Sequence, residues 1–332
     1  MPKVQEDRKP GHLRVEACGE MFEKTLTHSR CILTEGSMFE RLRRDPRIVL
    51  HPTLAHAALV FDQTGFEVLR DVHREYLEIG KNSHLPMITF TDTWRANRER
   101  VEDSEFTQRD VNGACAKFLC KLRDEFRSDG ASVLVGAIIG CRGDAYRADE
   151  ALQPDEALVF HDYQVQALAD TDVDFLFAAT LPAVSEALGI SRAMAKTSLP
   201  YVISFVVRPD GTALDGTPLS EAIRRIDSEV PRAPTAFYVN CVHPSVLVSA
   251  YEALSQDRNL LRERVVGFQG NTSAKSPEEL DSLADLDTET PERFASLMFD
   301  ARERCGLKIP GGCCGTGTDH IKQLAELLAQ AT

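Results

Sequence analysis

The segment SVLVGAIIG at 132–140 is short, rich in β-branched residues and almost continuously apolar. It lacks the alternation of polarity that marks a strand with one wet face, so both faces of this strand are expected to be covered. Seven other runs share its character: CILTEG at 31–36, PMITFTD at 86–92, DFLFAAT at 174–180, PYVISFVV at 200–207, AFYVNCV at 236–242, RVVGFQG at 264–270 and LKIPGGC at 307–313. Helix-period segments fall between them. Phe66, Leu69, Val72, Tyr76 and Ile79 recur at that spacing before Gly80, which predicts a helix stop, and 221–230 and 245–254 read similarly. In the last segment Thr318 is expected as N-cap, with Asp319 in the first turn and Ile321, Leu324, Leu327 and Leu328 on one stripe. Eight strand–helix units predict a single α/β (β/α)8 barrel, a fold of about 250 residues. No Gly-rich dinucleotide fingerprint follows the first strand, which argues against a doubly wound open sheet.

Residues 1–30 are expected to form a short N-terminal extension that packs beneath the barrel or against another subunit, and residues 31–330 the barrel itself. The polar stretches 141–157 and 271–293 are read as loops at strand ends, where barrel sites are built. A chain of 332 residues with 43% hydrophobic and 27% charged residues has the profile of a globular protein. Its net charge of -13 and the absence of a Lys/Arg run exclude nucleic acid as a partner. No run of eighteen apolar residues and no signal-peptide core is found, so a cytoplasmic protein with no membrane partner is expected. Nine cysteines at irregular spacing argue against a disulfide framework. Room is left for a homo-oligomer.

Two cysteine segments carry the chemistry. Gly311-Gly312-Cys313-Cys314-Gly315-Thr316-Gly317 lies where the eighth strand should end. Successive strand side chains point to opposite faces, so adjacent cysteines reach one ion only if the backbone leaves the pleat, which the flanking glycines permit. Asn240-Cys241-Val242-His243-Pro244 ends the sixth strand, 72 positions earlier (313 minus 241). In a barrel both ends open onto one face. Three thiolates there suit Zn2+ with a fourth position open, and metal coordination deprotonates a thiol to a sulfur nucleophile. Two core thiols or a vicinal disulfide at 313–314, and His243 as a fourth ligand of a structural site, are the competing readings.

At these residues the sequence resembles the homocysteine S-methyltransferase family, which includes betaine-homocysteine methyltransferases and the homocysteine module of cobalamin-dependent methionine synthase. GGCCGT at 311–316 and NC-x-HP at 240–244 look like that family's zinc-ligand segments. ILTEGSMFERL at 32–42, VHREYLEIG at 72–80, TFTDTWRAN at 89–97 and DGTPLSEAI at 216–223 extend the likeness over about residues 31–328.

The resemblance implies a zinc-dependent S-methyltransferase in which Cys241, Cys313 and Cys314 hold the metal and homocysteine or a related small thiol takes the fourth place. Glu35-Gly36 stands where the family usually has Asp-Gly, and Ala179-Thr180 where it usually has Glu-Thr. The second difference implies weaker amino-group anchoring and an acceptor that departs from homocysteine. Asp92, Thr93 and Trp94 are candidate substrate contacts, Trp94 as a rim aromatic over a methylated cation or as a core residue. Thr180 and Asn240 join them, Asn240 as a residue that orients Cys241. Asp144 is a candidate replacement for the missing Glu. The methyl donor is a small molecule or a separate corrinoid protein; a degenerate zinc-binding barrel without activity is the remaining alternative.

Overall fold

The computed structural model describes residues 10–275 and 288–331. Its strands are β1 (Leu33–Thr34), β2 (Met87–Phe90), β3 (Val133–Gly140), β4 (Phe175–Leu181), β5 (Tyr201–Phe205), β6 (Ala236–Val242), β7 (Val265–Gly270) and β8 (Ile309–Gly312). They lie in chain order in one parallel sheet with helices between them. The sheet closes on itself: Ile32 N donates to Lys308 O at 2.9 Å and Gly312 N donates to Glu35 O at 3.1 Å. This is the expected (β/α)8 barrel: seven strands fall inside their apolar runs, and β4 runs one residue past its own, to Leu181.

The first strand is shorter than its run, since the chain leaves the ladder at Gly36. A side chain there would meet the Tyr76 hydroxyl at 2.7 Å, and Ser37 turns the backbone into the helix Met38–Arg44 by accepting from Glu40 N at 3.2 Å. Gly80 does not stop its helix, which runs Gln63–Asn82. It is glycine because a Cβ there would stand 2.8 Å from the Cβ of Met87 on β2. Thr318 is the first residue of the helix Thr318–Ala331 rather than its cap, and its hydroxyl donates to Glu75 at 2.6 Å. Phe66, placed on the apolar stripe, is instead partly exposed and packs edge-on against Phe118. Helices begin at Pro154 and Pro291, inside both stretches read as loops; 276–287 lie outside the described residues.

Two layers of core follow from strands buried on both faces. One lies between sheet and helices; the other fills the barrel with Ile88, Phe90, Phe175, Phe177, Val202 and Tyr238 among others. The helix Pro10–His28 covers the N-terminal opening: Phe22 is fully buried and stacks on Phe175, the first residue of β4, at a ring distance of 4.1 Å. Lys308 Nζ reaches the same helix at Leu26 O, 3.0 Å away. With that end plugged, the cavity left for chemistry is at the C-terminal mouth. No described helix is long and apolar enough to cross a membrane. Phe22→Ala should lower unfolding stability by about 3–5 kcal/mol in urea melts, as truncation of a buried Phe does.

Candidate active site

Cys241 sits one residue from the end of β6, where pairing with β7 slips between Asn240 and Val242. Its φ of 62° places it in the left-handed region, rare for a residue with a side chain, and this turns the thiol out of the strand's alternation. The β8 end supplies the other two sulfurs. Cys313 N donates to Gly270 O at 2.8 Å, Cys314 N donates to the Asn271 side chain at 3.1 Å, and Gly315 takes φ 82°. The three sulfurs lie within 4.8 Å of one another, with Cys241 and Cys314 3.4 Å apart. Sulfurs bound at about 2.3 Å to one tetrahedral ion would be roughly 3.8 Å apart, so the arrangement fits Zn2+.

The thiols share protons unequally. Hydrogen bonds from Cys313 and Cys314 hold Cys241 well below the ordinary thiol range; their bonds to Cys241, with burial, push the other two up. The Tyr146 hydroxyl donates to Cys241 Sγ at 2.7 Å. Its loop is fixed by Glu186, buried, which accepts from Arg142 N at 2.7 Å and faces His161 Nε2 at 2.9 Å.

The sulfurs form one wall of a cavity of about 290 Å3 that is also lined by Glu35, Gly36, Phe39, His56, Asp92, Trp94, Tyr146, Thr180 and Asn240. A buried ionic group lies at its edge. His73 Nε2 donates to Asp92 Oδ2 at 3.2 Å and Nδ1 donates to Thr89 Oγ1 at 3.0 Å, while the Thr89 hydroxyl donates to Glu35. Burial alone would lower the His73 pKa, but the charge and hydrogen bonds of Asp92 and Glu35 push it up to about 10. Glu35 is raised by burial, against the pull of His73 and Thr89. His56 is lowered by burial, which outweighs the nearby Asp92.

The structure thus brings Glu35, Gly36, Asp92, Trp94, Thr180 and Asn240 to the cavity with the three cysteines. Thr93 is not part of the lining; its hydroxyl donates to Ile138 O at 2.7 Å. Asn240 bonds to Thr180 and Ser204 rather than to Cys241. Its amide clamps Thr180, accepting from Thr180 N at 3.0 Å and donating to Oγ1 at 2.7 Å, and also accepts from Ser204 at 2.6 Å. That grip holds Thr180 at φ 58°. Trp94 has both roles: it packs on the core, reaches the cavity, and has Arg95 stacked 4.0 Å above its ring. Asp144 is exposed and accepts from Tyr146 N at 2.8 Å, so it does not replace a pocket carboxylate. His243 caps the helix Pro244–Ala253 through Ser245 N and stands outside the sulfur cluster.

Sequence reasoning missed Tyr146, His56, His73 and Phe39. The first lies in a loop with no periodic signal. His56 sits in an alanine-rich 3-10 turn, His56–Phe61, and His73 hides within an apolar helical stripe.

A (β/α)8 barrel with clustered thiols at the catalytic mouth defines the class: an enzyme whose sulfur ligands can hold a metal beside a small cavity. The particular family follows from comparison. The chain belongs to the homocysteine S-methyltransferase family, whose model matches residues 32–328, and it is an S-methyltransferase. It is 24% identical to the homocysteine S-methyltransferase YbgG of Bacillus subtilis, over 89% of this chain and 93% of that one. It is 26% identical to the S-methylmethionine–homocysteine S-methyltransferase BHMT2 of Pongo abelii, over 79% and 70%. The metallated homocysteine methyltransferase MmuM of Escherichia coli has the same fold, at TM-score 0.73 and 21% identity over 92% of this chain and 99% of that one.

His73 gives the site a pH signature. A histidine raised from 6.5 to about 10 contributes stability that is complete below about pH 6.5 and is lost as pH rises through 10. Melting temperature should therefore fall from pH 7 to 10 more steeply in the wild type than in His73→Gln, when both are followed by circular dichroism.

Proposed function

We propose that this protein transfers a methyl group to homocysteine or a closely related small thiol, using Zn2+ held by Cys241, Cys313 and Cys314. The observation that carries the reading is the convergence of three sulfurs within 4.8 Å on the wall of the barrel-mouth cavity. Soft sulfur donors favour zinc, and three protein ligands leave a position for a substrate. When bound, the metal would stabilise an acceptor sulfur as thiolate near neutral pH.

The chain's own residues do the rest. Tyr146 and Asn271 fix Cys241 and Cys314 by the contacts given above, so the ligands need little rearrangement. Phe39, Phe90, Trp94 and Tyr146 make the cavity walls apolar and aromatic. Such walls exclude water and present π faces to a cationic methyl group on a sulfonium or quaternary ammonium donor. A cytoplasmic location completes the reading, because a reducing compartment keeps the three thiols available.

Zinc-edge X-ray absorption on the reduced protein tests this. About one zinc per chain in a three-sulfur shell is expected, gaining a fourth sulfur when homocysteine is added. Cys241→Ala and Cys313→Ala should each weaken zinc binding at least about tenfold. A shell unchanged by any small thiol, or wild-type protein that takes up no zinc, would overturn the proposal.

A further inference from the structure

Tyr146 stands in a loop that leaves β3 after Gly140 and enters the helix Pro154–Ala169. One side chain holds both ends of it. Glu186, on the helix Val184–Met194, is fully buried; its Oε1 accepts from Arg142 N at 2.7 Å and its Oε2 from Leu152 N at 3.4 Å. His161, also fully buried, brings Nε2 to 2.9 Å from Oε1 and so fixes the orientation of the carboxyl group. Between its ends the loop bonds to itself: Asp144 accepts from Tyr146 N at 2.8 Å, and Glu150 accepts from Asp144 N at 3.0 Å. It meets the barrel through Arg95, which donates to Gly143 O at 2.8 Å, and through the Tyr146 hydroxyl, which donates to Cys241 Sγ at 2.7 Å.

A carboxyl group taken out of water is tolerated where hydrogen bonds replace its hydration. Here two of those bonds come from backbone N–H groups ten positions apart (152 minus 142). An apolar residue in its place would fill the space and grip neither end. Glu186 lies outside the cavity lining, so it acts on the site through the loop. The loop's working contact is Tyr146, and the sulfur that Tyr146 meets is the one 3.4 Å from Cys314 Sγ. Groups that hydrogen-bond a metal's ligands hold those ligands ready for the ion.

We propose that Glu186, with His161 behind it, is a positioning residue for the metal site: by gripping both ends of the loop it seats Tyr146 on Cys241 and so sets how tightly the three sulfurs hold their ion. This rests on the zinc reading above and adds a control exerted from outside the cavity. The chain carries its own reporter of the loop. Trp94 is the single tryptophan, and Arg95, stacked 4.0 Å above its ring, is the residue that donates to Gly143 O. Release of the loop therefore changes the cover of Trp94.

The test compares wild type, Glu186→Gln, Tyr146→Phe and the double variant. Zinc affinity is read by competition with a chromophoric chelator, and Trp94 emission is read on the metal-free proteins. In Glu186→Gln an amide N–H faces a backbone N–H at one end of the loop, donor against donor, which releases that end. Each single variant should bind zinc at least about tenfold more weakly. The double variant should fall within about threefold of the weaker single variant, because both changes act through one hydrogen bond. Trp94 emission should shift to the red in Glu186→Gln and quench more readily with acrylamide. Losses that multiply in the double variant, or wild-type zinc affinity in either single variant, would overturn the role of Glu186 and leave the zinc reading standing. A lower melting temperature with zinc affinity and Trp94 emission unmoved would make Glu186 a packing residue and overturn it too. Where Glu186→Gln does not fold, Glu186→Asp, which keeps the carboxyl group one methylene short of the loop, takes its place. Wild-type protein that takes up no zinc would overturn both readings.

Discussion

The seam between β1 and β8 is the constraint on which the site depends. Two hydrogen bonds close the barrel there, and the packing is so close that the last two residues of β8 have no room for a side chain. A Cβ on Gly311 would fall 1.7 Å from Thr34 Oγ1, and one on Gly312 would fall 2.3 Å from Thr316 Oγ1. The same seam delivers Glu35 on one side and Cys313 on the other, since the bond that joins them runs from Gly312 N to Glu35 O. Thr316 ties the two loops beyond it, accepting from Ser37 N at 3.1 Å and donating to Cys313 O at 2.7 Å. Barrel closure, placement of two sulfur ligands and placement of a pocket carboxylate are therefore one network. Each bond is worth only about 1 kcal/mol alone, but none can be lost without moving both halves of the site.

A second constraint lies across the mouth. Thr180 and Cys241 both hold left-handed backbone, and each falls where strand pairing slips out of register. Such conformations cost on the order of 1–3 kcal/mol each and persist when their surroundings over-determine them. Asn240 is the link between them: adjacent to Cys241 in the chain, it grips Thr180 through both backbone and hydroxyl. The strain at the ends of β4 and β6, which flank β5, is thus held by one buried amide. The result is a pair of strand ends whose side chains aim into the cavity instead of alternating about the sheet.

The sequence disclosed the barrel because parallel strands buried on both faces leave continuous apolar runs, and eight of them survive as eight strands. It pointed to the sulfur cluster because Cys313-Cys314 is hard to place in a regular strand unless the flanking glycines bend it. Gly80 misled for an instructive reason: a glycine that stops a helix and one that lets a helix touch a strand look alike until Met87 is seen against it. The histidines were hidden by the reverse effect. His73 is adjacent to Val72 on a helix whose apolar face predicts burial, and nothing local states that Asp92 and Thr89 will meet it from β2. Asn240 was recognised as a site residue and given the wrong neighbour, because a strand sequence does not reveal that an amide on β6 will reach past β5 to β4.

Charge explains why the mouth is built of such different parts. Hydrogen bonds from its two neighbours hold the Cys241 thiol well below the usual range, and positive charge is scarce in the cavity lining. His73 is the buried cation that offsets Glu35 and Asp92, and it is already shared between them. A cavity with this balance favours cations over anions. The aromatic residues add a preference of the same sign, since their faces carry the negative part of the ring quadrupole. With a net charge of -13 the surface works in the same direction, raising the local concentration of cations before they enter. The mouth thus has one electrostatic character, in which its buried positive group, His73, is committed to holding the carboxylates in place.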